Sequence, residues 1–159
     1  MVRLSLLGIS TALASAIYVL ENFIPFPLPV GRWGFSNSVV LYFATVSLKD
    51  SLIVAAGKSF LGSLFSGRLL SPTFWMGFFG SLSAAVVERG LFKLGFGYIG
   101  ASLAGSAVNN LVQLLVGSMI VGTIHTVYLF PLLAGMGSLS AVANVYLAKS
   151  YERAVEVRS

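Results

Sequence analysis

Residues 99–121 read IGASLAGSAVNNLVQLLVGSMIV, a run with no charged side chain. A hydrocarbon core of about 30 Å is crossed by roughly 20 residues of helix at 1.5 Å each, so this run predicts a helix that spans a bilayer. Small residues recur at four-residue intervals on it: Gly97, Ala101 and Gly105 form a stripe that continues into Asn109 and Gln113. Lipid supplies no hydrophobic drive for helix association, so small side chains that let backbones approach take over that role. The amides on the same stripe announce an interior that is not wholly apolar.

The rest of the chain has the same character. Of its 159 residues 57% are hydrophobic and 9% charged, with a mean hydropathy of +0.91, against about one quarter charged in soluble domains. The expected class is an all-α integral membrane protein with residues 1–159 in one domain. Cysteine is absent and histidine occurs once, which excludes a disulfide framework and argues against a zinc site. No metal or cofactor is expected. The net charge of +5 is spread along the chain, as expected at helix ends rather than on a nucleic-acid-binding surface.

Six spans are predicted, at about 4–24, 35–48, 51–65, 73–92, 99–121 and 127–148, followed by the polar tail KSYERAVEVRS. Pro25, Pro27 and Pro29 close the first, and Lys49 and Asp50 mark the end of the second. Arg3 before an apolar run that contains ALASA (12–16) also fits a cleavable signal; retention of the first span is the expectation. Lys and Arg in the connections set orientation. Arg3, Lys49, Arg89, Lys93, Lys149, Arg153 and Arg158 fall on one side, Arg32 and Arg68 on the other. Both termini are therefore expected in the cytoplasm, with the chain a multi-pass membrane protein. The outer loops are PFPLPVGRWG (25–34), SGRLLSP (66–72) and GTIHTV (122–127).

Polar groups at membrane depth carry the functional reading, because a central ionisable side chain costs about 2.5–3.5 kcal/mol even on lenient insertion scales. Lys58 shares a face with Ser51, Ala55, Gly62 and Ser66 and is expected to point into the bundle; snorkelling to an interface is the alternative. Asn109, Asn110 and Gln113 serve either as interhelical glue or as ligand contacts. Glu21, Arg32, Trp33, Asn37, Arg68 and His125 join the candidate site if the outer loops fold over the bundle. The proline-rich loop is then a stiff cover hinged at Gly31 and Gly34, or else a static cap with Phe26 and Trp33 at the headgroups. Glu88 and Arg89 are read as an interfacial pair outside the site. With Glu21 the only acid expected nearby, the positive balance favours an anionic ligand.

Several catalytic motifs are incomplete. The GKS at 57–59 lacks the glycine that a phosphate-binding loop needs at position 52, where Leu52 stands. Asp50 is the only aspartate, so the paired aspartates that hold magnesium around a diphosphate are missing. No nucleophile, base and acid set is available. No enzymatic activity of this chain alone is expected.

In LENFIPFPLP (20–29), GRWGFSNSVVL (31–41), GKSFLGSLFSG (57–67), SPTFW (71–75) and GASLAGSAVNNLVQLLVG (100–117), the chain resembles the Gx transporter family. That family is also labelled heptaprenyl diphosphate synthase component I and is grouped with the substrate-binding S components of energy-coupling factor transporters. Where the family is expected to read His-Asn before the glutamine, this chain has Asn109 and Asn110, so a role that needs that histidine does not transfer. The resemblance implies six helices with both ends inside and an outward pocket covered by the first loop. It also implies an Ala-x-x-x-Ala motif, matched by Ala12 and Ala16 on a stripe with Gly8. That motif would dock on a transmembrane coupling subunit driven by cytoplasmic ATPases. The expected function is capture of a small anionic solute such as a vitamin or its precursor, with membrane lipid as its surroundings. The alternatives are an accessory subunit that presents a lipid diphosphate to a soluble prenyl synthase, and a structural assembly protein.

Overall fold

The computed structural model describes residues 2–27 and 31–156, with side chains from residue 4 onward. Leu28, Pro29 and Val30 of the first loop and Arg158 of the tail lie outside the described residues, as does the side chain of Arg3. The described residues form six α-helices and one 3-10 helix: α1 (Val2–Glu21), α2 (Asn37–Val46), α3 (Leu48–Phe65), α4 (Pro72–Lys93), α5 (Tyr98–Val121), the 3-10 helix Ile124–Leu129 and α6 (Phe130–Glu156). There is no strand among the described residues. Leu4–Glu21, Tyr98–Val121 and Ile124–Glu156 are long and apolar enough to cross a membrane.

The helix ends follow from local chemistry. Ser71 caps α4 by accepting from the Phe74 N–H at 3.2 Å, with Pro72 at the first helical position, where its missing N–H has no cost. Gly67 after α3 has φ +66; the Arg68 N–H bonds Ser63 O and the Gly67 N–H bonds Leu64 O, the paired closure of a glycine C-cap. That turn sets Arg68 at the bundle's end. Only Ser47, with φ −157 and ψ 137, separates α2 from α3. The Arg89 side chain donates to Ala44 O and Thr45 O at 3.1 and 2.7 Å, satisfying carbonyls that the end of α2 leaves open.

Two elements differ from the sequence reading. The second helix has ten residues, about 15 Å of rise, too short to cross a bilayer alone. It lies at the centre, touching all the other α-helices, and its Val39, Val40 and Phe43 share a core with Leu7, Ala14, Val54, Ala55 and Ala85. The last helix, expected to end near residue 148, runs on through the polar tail to Glu156. Tyr151 holds it there, its hydroxyl 2.5 Å from Ser10 Oγ and its ring 5.0 Å from that of Tyr42.

Glycines set the spacing between neighbours. A Cβ on Gly62 would run into the Tyr18 ring, and one on Gly57 into Thr11, so α1 lies close on α3. Between α5 and α6 the contact is a polar ladder. Ser102 Oγ donates to Ala141 O, Ser106 Oγ to Gly137 O and Asn110 Nδ2 to Leu133 O, at 2.9, 2.9 and 3.0 Å. Four-residue steps on α5 meet four-residue steps on the antiparallel α6, and Gly137 leaves room for Ser106 and Asn110. Interhelical bonds of this kind average about 0.6 kcal/mol and reach about 1.7. Asn110→Ala should therefore lower thermal stability in detergent by an amount in that range and leave ligand retention unchanged. Loss of a ligand with intact stability would put Asn110 in the site instead of the ladder.

Candidate functional site

The end of α1, the first loop, the α3–α4 turn and the facing sides of α4 and α5 enclose a cavity of about 230 Å³. Glu21, Arg32, Arg68 and Gln113 line it, together with Asn22, Thr73 and Met76. A second chamber of about 10 Å³ lies deeper, lined by Lys58, Asn37, Ser81 and Asn109, with Arg32 and Gln113 common to both. A hollow that small has room for about one water.

Small residues create this space. The guanidinium of Arg32 lies 3.9 Å over the centroid of the Tyr18 ring and against Gly77, where any Cβ would displace it. Asn109 packs on Gly80 in the same way. The Tyr18 hydroxyl bonds Ser63 Oγ at 2.8 Å, which fixes the ring beneath the arginine. At the rim the exposed Arg68 donates to Asn22 Oδ1 at 2.9 Å, and Asn22 donates to Ser66 Oγ at 3.0 Å. A polar strut ties three helices at the base: Ser36 N donates to Glu21 Oε1 at 2.5 Å, and Lys58 Nζ donates to Ser36 Oγ at 3.3 Å. Lys58 is 2% exposed and points inward.

The described part of the first loop carries its own aromatic packing. Trp33 Nε1 donates to Pro25 O at 3.1 Å, Phe26 meets Trp33 edge-on at 5.3 Å, and Phe35 stacks on it at 5.9 Å. Gly31 and Gly34 have φ of +99 and +75, values that side chains disfavour. The loop is also fastened to α6, where Asn144 Nδ2 donates to Gly34 O at 3.2 Å.

Of the residues singled out in the sequence, Glu21, Arg32, Asn37, Lys58, Arg68, Asn109 and Gln113 come together around the two hollows. Trp33 packs within the loop and lines neither. Asn110, one residue from Asn109, turns to α6 and joins the ladder. His125 is exposed on the 3-10 helix beside Tyr128, with ring centroids 5.8 Å apart. Gly8, Ala12 and Ala16 form an exposed stripe on α1.

Glu88 and Arg89 are not the interfacial pair expected. Arg89 serves the end of α2, whereas Glu88 is 3% exposed, abuts Gly105 and interacts electrostatically with Lys58. Glu21 is thus not the only acid near Lys58. The missed signal was spacing: Gly77, Ser81, Ala84 and Glu88 are three or four residues apart on one face of α4, the pattern of a helix stripe turned to the interior.

Long apolar helices around a partly polar interior define a helical membrane protein with Glu21, Asp50, Lys58 and Glu88 buried inside it. More narrowly, the chain belongs to the heptaprenyl diphosphate synthase component I family, whose model matches residues 10–151. No curated protein and no solved structure matches the chain.

Removing one partner of a buried charge pair costs about 3–5 kcal/mol. Lys58→Met should destabilise on that scale, and adding Glu88→Gln should recover a substantial part, both read from thermal unfolding in detergent. A double variant no more stable than the single one would mean that Glu88 is not electrostatically tied to Lys58.

Proposed function

We propose that this chain is the ligand-binding membrane subunit of a multicomponent assembly and that its outer cavity takes the anionic group of a small ligand. The observation that carries this reading is the meeting of Arg32, Arg68, Gln113 and Glu21 around one hollow. Arginine presents a planar fork of donors suited to carboxylate and phosphate oxygens. The cavity is smaller than the roughly 300–1,000 Å³ of drug-sized sites, so it suits a headgroup or a compact solute.

The family description supports polyprenyl diphosphate synthesis as the setting. In this reading the cavity holds a prenyl diphosphate by its headgroup while the hydrocarbon chain stays in lipid, and a soluble synthase does the chemistry. Catalysis is assigned to that partner, in keeping with the lack of a catalytic set in this sequence.

A second reading rests on which side the cavity faces. We take all six helices as a bundle embedded in the cytoplasmic membrane of a prokaryote with both termini inside, following the Lys and Arg distribution. The cavity then opens outward, where a cytoplasmic diphosphate has no access but an external solute does. This favours an S component that captures an anionic solute and docks through Gly8, Ala12 and Ala16 on a coupling subunit served by ATPases. The side on which the cavity opens thus separates the two readings.

Losing one charge-assisted contact of about 1.5–3 kcal/mol weakens binding tenfold or more. Native mass spectrometry of the purified protein should show a bound anionic molecule, retained at least tenfold less well by Arg68→Ala. Equal retention removes the anionic site. Co-isolation from native membranes with a soluble prenyl synthase supports the first setting, and with two ATPases and a membrane coupling protein the second. In the second case, leucine at both Ala12 and Ala16 should abolish co-isolation without changing ligand retention.

A further inference from the structure

An anion site walled by a carboxylate poses a problem of charge. Glu21 lines the outer cavity beside Arg32 and Arg68, yet it is buried and only half satisfied. Its Oε1 accepts the Ser36 N–H, and its Oε2 has no hydrogen-bond partner among the described residues. Glu88 Oε2 is orphaned in the same way. No lysine or arginine closes a direct ion pair with either group among the described residues. Arg32 and Lys58 act on Glu21, and Lys58 on Glu88, through charge alone.

The neighbouring elements add no further charge to this cluster. Helices α2 and α5 contain no charged side chain, and Lys49 and Asp50 stand roughly two helical turns from Lys58 along α3. Arg89 serves the end of α2, and the charges of α6 begin at Lys149, which lies over Tyr98. Glu21 and Glu88 are therefore balanced by Lys58 and Arg32, with the exposed Arg68 at the rim. An anion seated on Arg32 and Arg68 upsets that balance, because Arg32 must then serve the ligand and Glu21 together. Like charges held close in a weakly screened interior disfavour the ionised carboxylate, and an orphaned charged oxygen adds its own desolvation cost. One proton on Glu21 relieves both. The neutral acid keeps the Ser36 N–H bond through Oε1 and leaves Arg32 to the ligand. Glu88 lines neither hollow and retains Lys58 as its counter-charge.

We propose, on the anion-binding reading of the outer cavity, that the protein takes up its anion together with one proton, drawn from the water in the cavity and held on Glu21 Oε2. Glu21 is thus a proton-binding site of the ligand-bound state, and the anion binds less tightly as pH rises.

Calorimetric titration of the detergent-solubilised full chain with inorganic diphosphate, at one pH in buffers of different ionisation enthalpy, counts the protons. Wild type should take up about one more proton per diphosphate than Glu21→Gln, which mimics the neutral acid. Subtracting the two removes the titration of diphosphate itself. The ratio of wild-type to Glu21→Gln affinity should also fall with rising pH, by up to about tenfold per unit. If Glu21→Gln does not fold, wild type alone decides: adding diphosphate should bring the carbonyl band of a protonated carboxyl group into the infrared difference spectrum. Diphosphate binding with equal proton counts in the two proteins, or without that band, overturns the proposal and leaves the anion site standing. Failure of both proteins to bind diphosphate removes the anion site, and the proton site with it.

Discussion

An ammonium group buried among helices that lipid surrounds must find its partners inside the protein, and Lys58 imposes that requirement on its neighbours. A bare charge at that depth is too costly to leave without partners. Ser36 accepts a hydrogen bond from it while Glu21 and Glu88 act on it through their charge, from three different segments, and two of the three stand at the ends of helices. Glu21 closes α1 and holds the start of α2 through the Ser36 N–H, so the two ends of the first loop are tied together beside the lysine. The central position of the short α2 follows from the same contacts: it carries Ser36 at its head and fills the space that a charged interior leaves for apolar side chains.

Glycine is the second half of this arrangement. Large polar side chains fit between close helices only where the opposite backbone has no side chain. Gly77 faces Arg32, Gly80 faces Asn109, Gly105 faces Glu88 and Gly137 faces Asn110. Each pairing exchanges apolar contact for room to seat a polar group between closely packed helices. Among the described residues nothing packs against Gly8, and Ala12 and Ala16 are exposed with it, which sets that stripe apart from the others.

Much of this could be read from residue spacing. The apolar runs gave the number of helices, the small-residue face of α3 gave the direction of Lys58, and the stripe from Ala101 to Gln113 gave the interior face of α5. What escaped depended on rotation by one residue or on partners distant in sequence. Asn109 and Asn110 are chemically alike, and only the roughly 100° turn between neighbours on a helix sends one to the chamber and the other to α6. Glu88 was hidden beside Arg89 because adjacent opposite charges resemble a pair, although neighbours on a helix point apart. The helical tail depended on Tyr151 reaching Ser10, a contact across nearly the whole chain. His125, polar and near the outer loops, had no spacing signal to tie it to the cavity.

On the proposed reading the hollow is open to water and takes an anion, in a membrane protein of the heptaprenyl diphosphate synthase component I family. The most direct measurement of that hollow uses the absence of cysteine from the chain. A single Met76→Cys variant places a thiol on the cavity wall, and Phe79→Cys places one on the outer face of the same helix. In intact membranes, a charged thiol reagent should modify Met76→Cys, with protection by inorganic diphosphate, and leave the lipid-facing Phe79→Cys unmodified. Equal inertness of both thiols, or labelling of Met76→Cys that diphosphate does not slow, would contradict an aqueous anion-binding cavity.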